Sequence, residues 1–211
     1  MGYMWGGILM DEKISRRERK KIHSKRAILE AAVKCFGQQG FQDTSIAEIM
    51  NEADLGIGTF YNYFESKEDI LKCLLGGIVD ELRDAMAALQ QEKLPAAVVL
   101  EKMVLLTAQL LDDNRFVLPL FLSAANRSAL PAGGQPGGAP AFKTIFAYII
   151  EQGQGQGEFR QDIPAGIITE MFHSMFQAAS FSSLDLSFLD NVQYKLRLMM
   201  DGICIKTRIG E

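Results

Sequence analysis

Beyond Lys20 the apolar residues recur three and four positions apart and strand-like alternation is scarce, so the chain reads as helical almost throughout. A first helix is expected over residues 24–39, with Ser24 as N-cap and Ile28, Ala31, Ala32, Cys35 and Phe36 as its buried stripe. Gly40 follows as a residue free to take a left-handed conformation, which ends the helix. In "DTSIAEIMNEAD" Thr44 or Ser45 caps a second helix, and Ser45 with Glu48 has capping-box spacing. Ile46, Ile49, Met50 and Ala53 line one face of it, and Asp54 stands where the chain turns, a place Asp tolerates better than most residues. Ser66 with Asp69 resembles a second capping box, opening a long helix striped by Ile70, Leu71, Leu74, Leu75, Ile78, Leu82 and Met86. From Leu94 five more helices are expected, at 95–111, 115–129, 141–154, 164–183 and 187–208. "PAGGQPGGAP", residues 131–140, reads as a loop, and "GQGQGEFRQD" as a polar break. The shift in composition near Leu94 predicts a small N-terminal module and a larger helical body.

Between the second helix and the long one lies "GIGTFYNYF", residues 56–64. On an α-helix, Phe60 and Phe64 stack one turn apart beside Gly56 and Ile57, which makes a small apolar anchor. The opposite arc carries Gly58, Thr59, Tyr61, Asn62 and Tyr63. Such a face suits DNA. Glycine admits close approach, Thr and Ile can meet a thymine methyl, Asn can read adenine bidentately, and Tyr hydroxyls reach phosphates. With the preceding helix and the turn at 53–55, this makes a helix-turn-helix. Lys67, at the start of the next helix, is placed to hold a phosphate together with that helix's N-terminus. The competing readings are an aromatic core plug and a nucleotide-phosphate loop. The second is poorly supported, since no strand precedes the lone GxG.

Charge adds a partner. Residues 11–26 hold eight Lys or Arg against three Asp or Glu, a net +5 in a chain of net −4, which leaves −9 for the rest. A basic arm on an acidic body attracts polyanions at one end, unless it is simply a solvated tail. Cys35, Cys73 and Cys204 are far apart and odd in number, which points to reduced thiols in a cytoplasm rather than a disulfide framework or zinc site. "MGYMWGGILM" lacks a leading basic stretch and a cleavage site, so it reads as a frayed tail rather than a signal peptide. Met1, Met4 and Met10 are alternative starts, and no run approaches the roughly 20 apolar residues that span a bilayer.

The stretch "AILEAAVKCFGQQGFQDTSIAEIMNEADLGIGTFYNYFESKEDIL" resembles the N-terminal domain of the TetR family of transcriptional regulators. The match runs from about Ile22 to Leu82; "GEFRQD" adds a weaker likeness in the body. The resemblance implies an all-α fold: a three-helix helix-turn-helix DNA-binding domain joined to a larger ligand-binding and dimerisation domain. With the basic arm read from charge, the expected domains are a flexible arm at 1–21, the DNA-binding domain at 22–82 with its helix-turn-helix near 45–64, and the effector and dimer domain at 83–211. It implies a homodimer that binds a palindromic operator, usually as a repressor, and is released by a small molecule. Carried over residue by residue, the DNA contacts are Thr44, Ala47, Thr59, Tyr61, Asn62, Tyr63 and Lys67, with Gly58 added from the helical arc and Ile57, which flanks the anchor, added against a thymine methyl. Asp54 stands where the family usually has glycine, and Gly56 where it often has a capping Ser or Thr, which puts the tightness of the turn in doubt.

In the body, Phe116, Phe121, Phe142, Phe146, Phe172 and Phe176 fall on several helices and could enclose a small apolar effector. Gln109, Asn126, His173 and Gln177 would then be the polar contacts. The plainer reading makes the rings core and His173 a satisfied core or interface histidine. The last two helices carry Ile168, Met171, Phe172, Met175, Phe176 and Ala179, and Val192, Leu196, Met199 and Ile203, expected to pair across a two-fold axis. No catalytic constellation, metal motif or cofactor loop stands out, so the chain is expected not to be an enzyme and to need no cofactor. The alternative to a repressor is a helical interaction module that kept the fold without operator binding.

Overall fold

The computed structural model describes residues 15–118 and 139–205. These residues form seven α-helices, two short 3₁₀ helices and one isolated bridge between Phe159 and Cys204, so the all-α expectation is met. Contacts divide them into two compact units. One runs up to Gly77 and takes in the segment that starts at Asn114; the other holds Ile78–Asp113 and the described residues from 139 on.

In the first unit α1 spans Arg16–Gln39 and starts eight residues before the expected position. Its cap is Ser15, not Ser24. The Ser15 hydroxyl accepts from the Glu18 amide, and the Glu18 carboxylate accepts from the Ser15 amide, each at 3.2 Å. Once that box closes, the Arg and Lys run that follows has good helix propensity and no Gly or Pro to break it. The last part of the supposed flexible arm, residues 16–21, is therefore helix, and Ser24 is a buried residue inside α1. The expected stripe is buried, and α1 ends at Gly40, whose φ of 85° and ψ of 160° suit glycine but are not the left-handed helical values expected.

Helix α2, Ile46–Glu52, has the predicted box: Ser45 Oγ accepts from the Glu48 amide at 3.2 Å, and Glu48 Oε2 from the Ser45 amide at 2.7 Å. Its C-terminus is a complete Schellman motif. The Leu55 amide reaches Met50 O at 3.0 Å, the Asp54 amide reaches Asn51 O at 3.1 Å, and Asp54 takes the left-handed conformation at φ 54°. Aspartate thus closes the turn without glycine. Residues Ile57–Asn62 wind as a 3₁₀ helix rather than an α-helix, and α3, Lys67–Gln91, follows. At the start of α3 the Asp69 amide donates to Ser66 Oγ at 3.3 Å, and the Asp69 carboxylate accepts from the backbone amides of Glu65 and Ser66, as the second box requires. A 3₁₀ turn at Arg115–Val117 packs on α1.

The second unit contains the later part of α3, then α4 (Ala96–Asp113), α5 (Ala139–Gly155), α6 (Ala165–Ser180) and α7 (Phe188–Ile203). Helix α4 packs on α5 and α7, and α6 packs on α5 and α7. Of the expected helix at 115–129 the described residues hold the 3₁₀ turn and Leu118, which is already helical, and the rest of it lies outside them. Helix α7 stops at Ile203 instead of running to 208, because Cys204 turns extended and bridges to Phe159. The supposed polar break is a clasp. Phe159 is fully buried against Gly153, where a Cβ would lie 2.2 Å from the ring. The Glu158 carboxylate accepts from the amides of Ala96 and Ala97, each at 3.0 Å, and so caps α4 from 61 and 62 residues away.

Candidate nucleic-acid interface

The 3₁₀ stretch is held from one side. Phe60 is fully buried and Phe64 nearly so, with ring centroids 5.8 Å apart, as the aromatic anchor requires. The opposite side is open: Ile57 is 55% and Tyr61 64% exposed, Gly58 and Asn62 are exposed, and Thr59 and Tyr63 are half-buried. Tighter winding turns successive side chains by about 120° rather than 100°, yet it keeps Phe60 inward and this arc outward. A Cβ on Gly58 would meet nothing within 4 Å, so packing does not impose glycine there. Ala47, on α2, is exposed. Lys25, in the basic segment of α1, lies 5.8 Å over the Phe64 ring.

Two expected DNA contacts are occupied within the protein. Thr44 is 1% exposed; its hydroxyl donates to Gly40 O at 2.7 Å and accepts from Gln39 Nε2 at 3.3 Å. The Lys67 ammonium donates to Phe41 O at 2.8 Å, to Gln42 O at 3.3 Å and to Thr44 O. An ammonium has three protons, and all three meet carbonyls, so the phosphate clamp expected of Lys67 is not formed in this arrangement. The Glu48 carboxyl is held below its ordinary range by the Ser45 amide first and the Ser45 hydroxyl next, which favours the ionised, capping form. A groove of about 540 Å³ opens between residues 42–46 and 65–68, lined by Thr44, Ser45 and Lys67 among others.

In the body, the aromatic residues expected to enclose an effector pack on one another. Phe142, Phe146, Phe172 and Phe176 are all buried, and the Phe142 ring lies 4.4 Å from Phe146 and 5.9 Å from Phe176. Gln109 and Gln177 are exposed, with Gln109 bonded to Asp113, so neither is a polar contact in that cluster. Phe121, Asn126 and the Phe116 side chain lie outside the described residues. His173 is buried beside Phe142, and burial, then the nearby Lys143 charge, lowers its pKa from 6.5 to about 4. A groove of about 490 Å³ in the same unit is lined by Met86, Leu89, Leu94, Val99, Tyr148 and Gln152, among others.

The expected dimer stripes also change. Ile168, Phe172, Met175, Phe176, Ala179, Val192, Leu196 and Ile203 are buried in their own chain, which leaves little of them open. Met199 is half-buried, and Met171 is 54% exposed. The open apolar residues lie on an adjoining arc: Ile167, Met171 and Phe181 with α6, Leu184 and Leu186 in the link, Tyr194 and Leu198 on α7. The stripe expected from sequence lies on the face that α6 and α7 turn inward. Among the described residues no helix is long and apolar enough to cross a membrane, and no group of three or more His, Cys, Asp or Glu could hold a metal ion.

Residues 28–74 match the family model described as bacterial regulatory proteins, tetR family. An uncharacterized HTH-type transcriptional regulator of Bacillus subtilis (strain 168), YuxN, is 38% identical over 65 residues, 31% of this chain and 21% of that protein. The HTH-type transcriptional repressor KstR2 of Rhodococcus jostii (strain RHA1) is 23% identical over 142 residues, covering 64% of this chain and 68% of the relative. Likeness to YuxN is therefore confined to about a fifth of its length. Among solved structures, the transcriptional regulator FadR of Bacillus subtilis, in complex with stearoyl-CoA, superposes with TM-score 0.66. It is 19% identical, and the match covers 85% of this chain and 99% of that one, which is a likeness of fold.

Proposed function

We propose that this chain, which belongs to the tetR family of bacterial regulatory proteins by its residues 28–74, is a DNA-binding transcriptional regulator that represses from a palindromic operator as a homodimer. The observation that carries this reading is the anchored stretch at 57–62. Phe60 fixes it from within, and Ile57, Gly58, Tyr61 and Asn62 lie open on the other side. These are groups suited to a thymine methyl, to close backbone approach, to phosphate and to adenine. Thr59 and Tyr63 border the same surface. Repression is supported by the name of KstR2. The dimer is supported by the open apolar arc on α6 and α7, a surface that a two-fold axis can make self-complementary. A small apolar effector bound in the body is supported by the 490 Å³ groove, where Met86, Leu89, Leu94, Val99 and Ile149 stand among polar residues such as Gln90, Lys93 and Gln152, and, more distantly, by the stearoyl-CoA held by FadR. The protein acts in the cytoplasm, where the DNA is, and not as an enzyme.

The second reading, an interaction module without operator binding, is favoured by the internal engagement of Thr44 and Lys67. Fluorescence anisotropy with a duplex recovered from a random-sequence pool separates the two. A regulator binds the recovered duplex far more tightly than a scrambled one and loses affinity steeply as salt rises. Equal, weak binding to both duplexes would favour the module. Adding stearoyl-CoA as the first effector probe should release the duplex; no change with acyl-CoAs of several lengths would count against an apolar effector of this kind.

A further inference from the structure

We infer that Lys67 is a positioning residue for DNA binding: it fixes the link between α1 and α2, and hence the seat of the recognition stretch, instead of neutralising a phosphate. The inference rests on the DNA-binding reading above and refines it. The link is short, and four of its carbonyls, at 40, 41, 42 and 44, are taken up by two side chains. Gly40 O accepts from the Thr44 hydroxyl at 2.7 Å. Phe41 O and Gln42 O accept from Lys67 at 2.8 and 3.3 Å, and Thr44 O accepts from the same ammonium. The ammonium also lies 4.8 Å over the Phe41 ring, a favourable cation–π placement.

Thr44 O is one residue before the N-cap Ser45, so the clamp acts directly on the start of α2. That helix has seven residues, too few to be stable by propensity alone. Its direction is set by its cap, by the burial of Ile49 and Met50, and by this clamp. The Schellman turn then passes that direction on to residues 57–62, because Leu55 is bonded back to Met50. An ammonium suits the task, since a compact cation with three divergent protons can serve three carbonyls that converge on one point. A planar guanidinium presents a fork and cannot reproduce that arrangement.

This geometry gives Lys67→Arg a diagnostic outcome. A phosphate contact survives the change, since charge and reach are kept; a three-carbonyl clamp does not. The experiment uses the full chain with Lys67→Arg and Lys67→Met, a duplex recovered by the wild type from a random pool, and a scrambled duplex. The expected result is that both variants weaken binding to the recovered duplex by roughly tenfold or more, leave the scrambled duplex unaffected, and leave the salt slope unchanged. Wild-type affinity in Lys67→Arg, together with a slope reduced by about one unit in Lys67→Met, would overturn the inference and restore the phosphate contact. Circular dichroism checks folding, and if Lys67→Met does not fold, Lys67→Arg carries the binding test. Hydrogen exchange over residues 41–50 tests the clamp independently of DNA: it should quicken in Lys67→Arg, and unchanged protection there would sink the clamp. If the pool yields no preferred duplex, the DNA-binding reading itself falls, and the exchange arm still decides whether the clamp exists.

Discussion

Leu198→Glu should separate dimerisation from folding. Leu198 is 73% exposed on α7, Tyr194 on the same helix is 60% exposed, and Met171 on α6 is 54% exposed. Burying a whole leucine side chain contributes about 1.5–3 kcal/mol, so covering the open part of Leu198 would contribute about 1–2 kcal/mol per chain. A two-fold interface uses the residue twice. Its loss therefore costs about 2–4 kcal/mol, or roughly 30- to 1000-fold in dimer dissociation constant, before any penalty for placing carboxylates at the contact. The folded monomer should be nearly indifferent, because the substituted side chain stands in water. Val192→Glu and Leu196→Glu are the controls: those residues are 0% and 3% exposed, so a carboxylate there enters the chain's own core and should unfold it. Sedimentation velocity over a concentration series, with thermal melts followed by circular dichroism, distinguishes the cases. A Leu198→Glu protein that stays dimeric at the wild-type dissociation concentration, or one that melts as Leu196→Glu does, would refute this placement of the interface.

Three further outcomes are expected. Glu158→Ala removes the carboxylate that caps α4 through Ala96 and Ala97; a lost helix cap costs about 1–2 kcal/mol, so the melting temperature should fall by about 2–8 °C, and an unchanged melt would remove the cap from the account. The pKa of His173 is about 4 in the folded chain, below its unfolded value of 6.5, so on acidification the unfolded chain takes up this proton first. The stability tied to neutral His173 should be full above about pH 6.5 and decline from there to about pH 4; a His173→Phe variant with the same pH profile as wild type would contradict the assignment. Gly58→Ala should leave folding intact, since its Cβ would meet nothing within 4 Å, yet weaken DNA binding by about 1–3 kcal/mol if backbone and DNA come close there; unchanged affinity in an anisotropy titration would move the contact elsewhere.

Local chemistry was the legible part. The Ser45–Glu48 box, the turn at Asp54 and the inward pair Phe60 and Phe64 each follow from residues three or four apart, within reach of a pattern reading. Ser15 was legible too, since Ser15 and Glu18 have the same box spacing, but the dense charge after them reads more readily as a solvated tail. Longer-range contacts were hidden. Lys67 looks free in sequence because its three acceptors lie 23 to 26 residues earlier. The Glu158 cap on α4 joins residues more than 60 positions apart. The stripe expected to pair turned out to be internal for a geometric reason: the periodicity of α6 and α7 identifies their most apolar stripe, and packing against α4, α5 and each other uses that stripe inside the chain. The arc left open, and proposed above for a partner, is the weaker one, with Met171 among its residues.

The central claim is that two copies of the 57–62 stretch read two half-sites on one face of a duplex. Selecting duplexes from a random-sequence pool with the full chain, and sequencing what is retained, tests this most directly. An inverted repeat should emerge, with half-site centres about 10–10.5 base pairs apart or a multiple of that, and Asn62→Ala should blur the preference within each half-site. A pool that shows no enriched sequence after repeated rounds at low salt, or one that yields a single unrepeated site, would contradict the account.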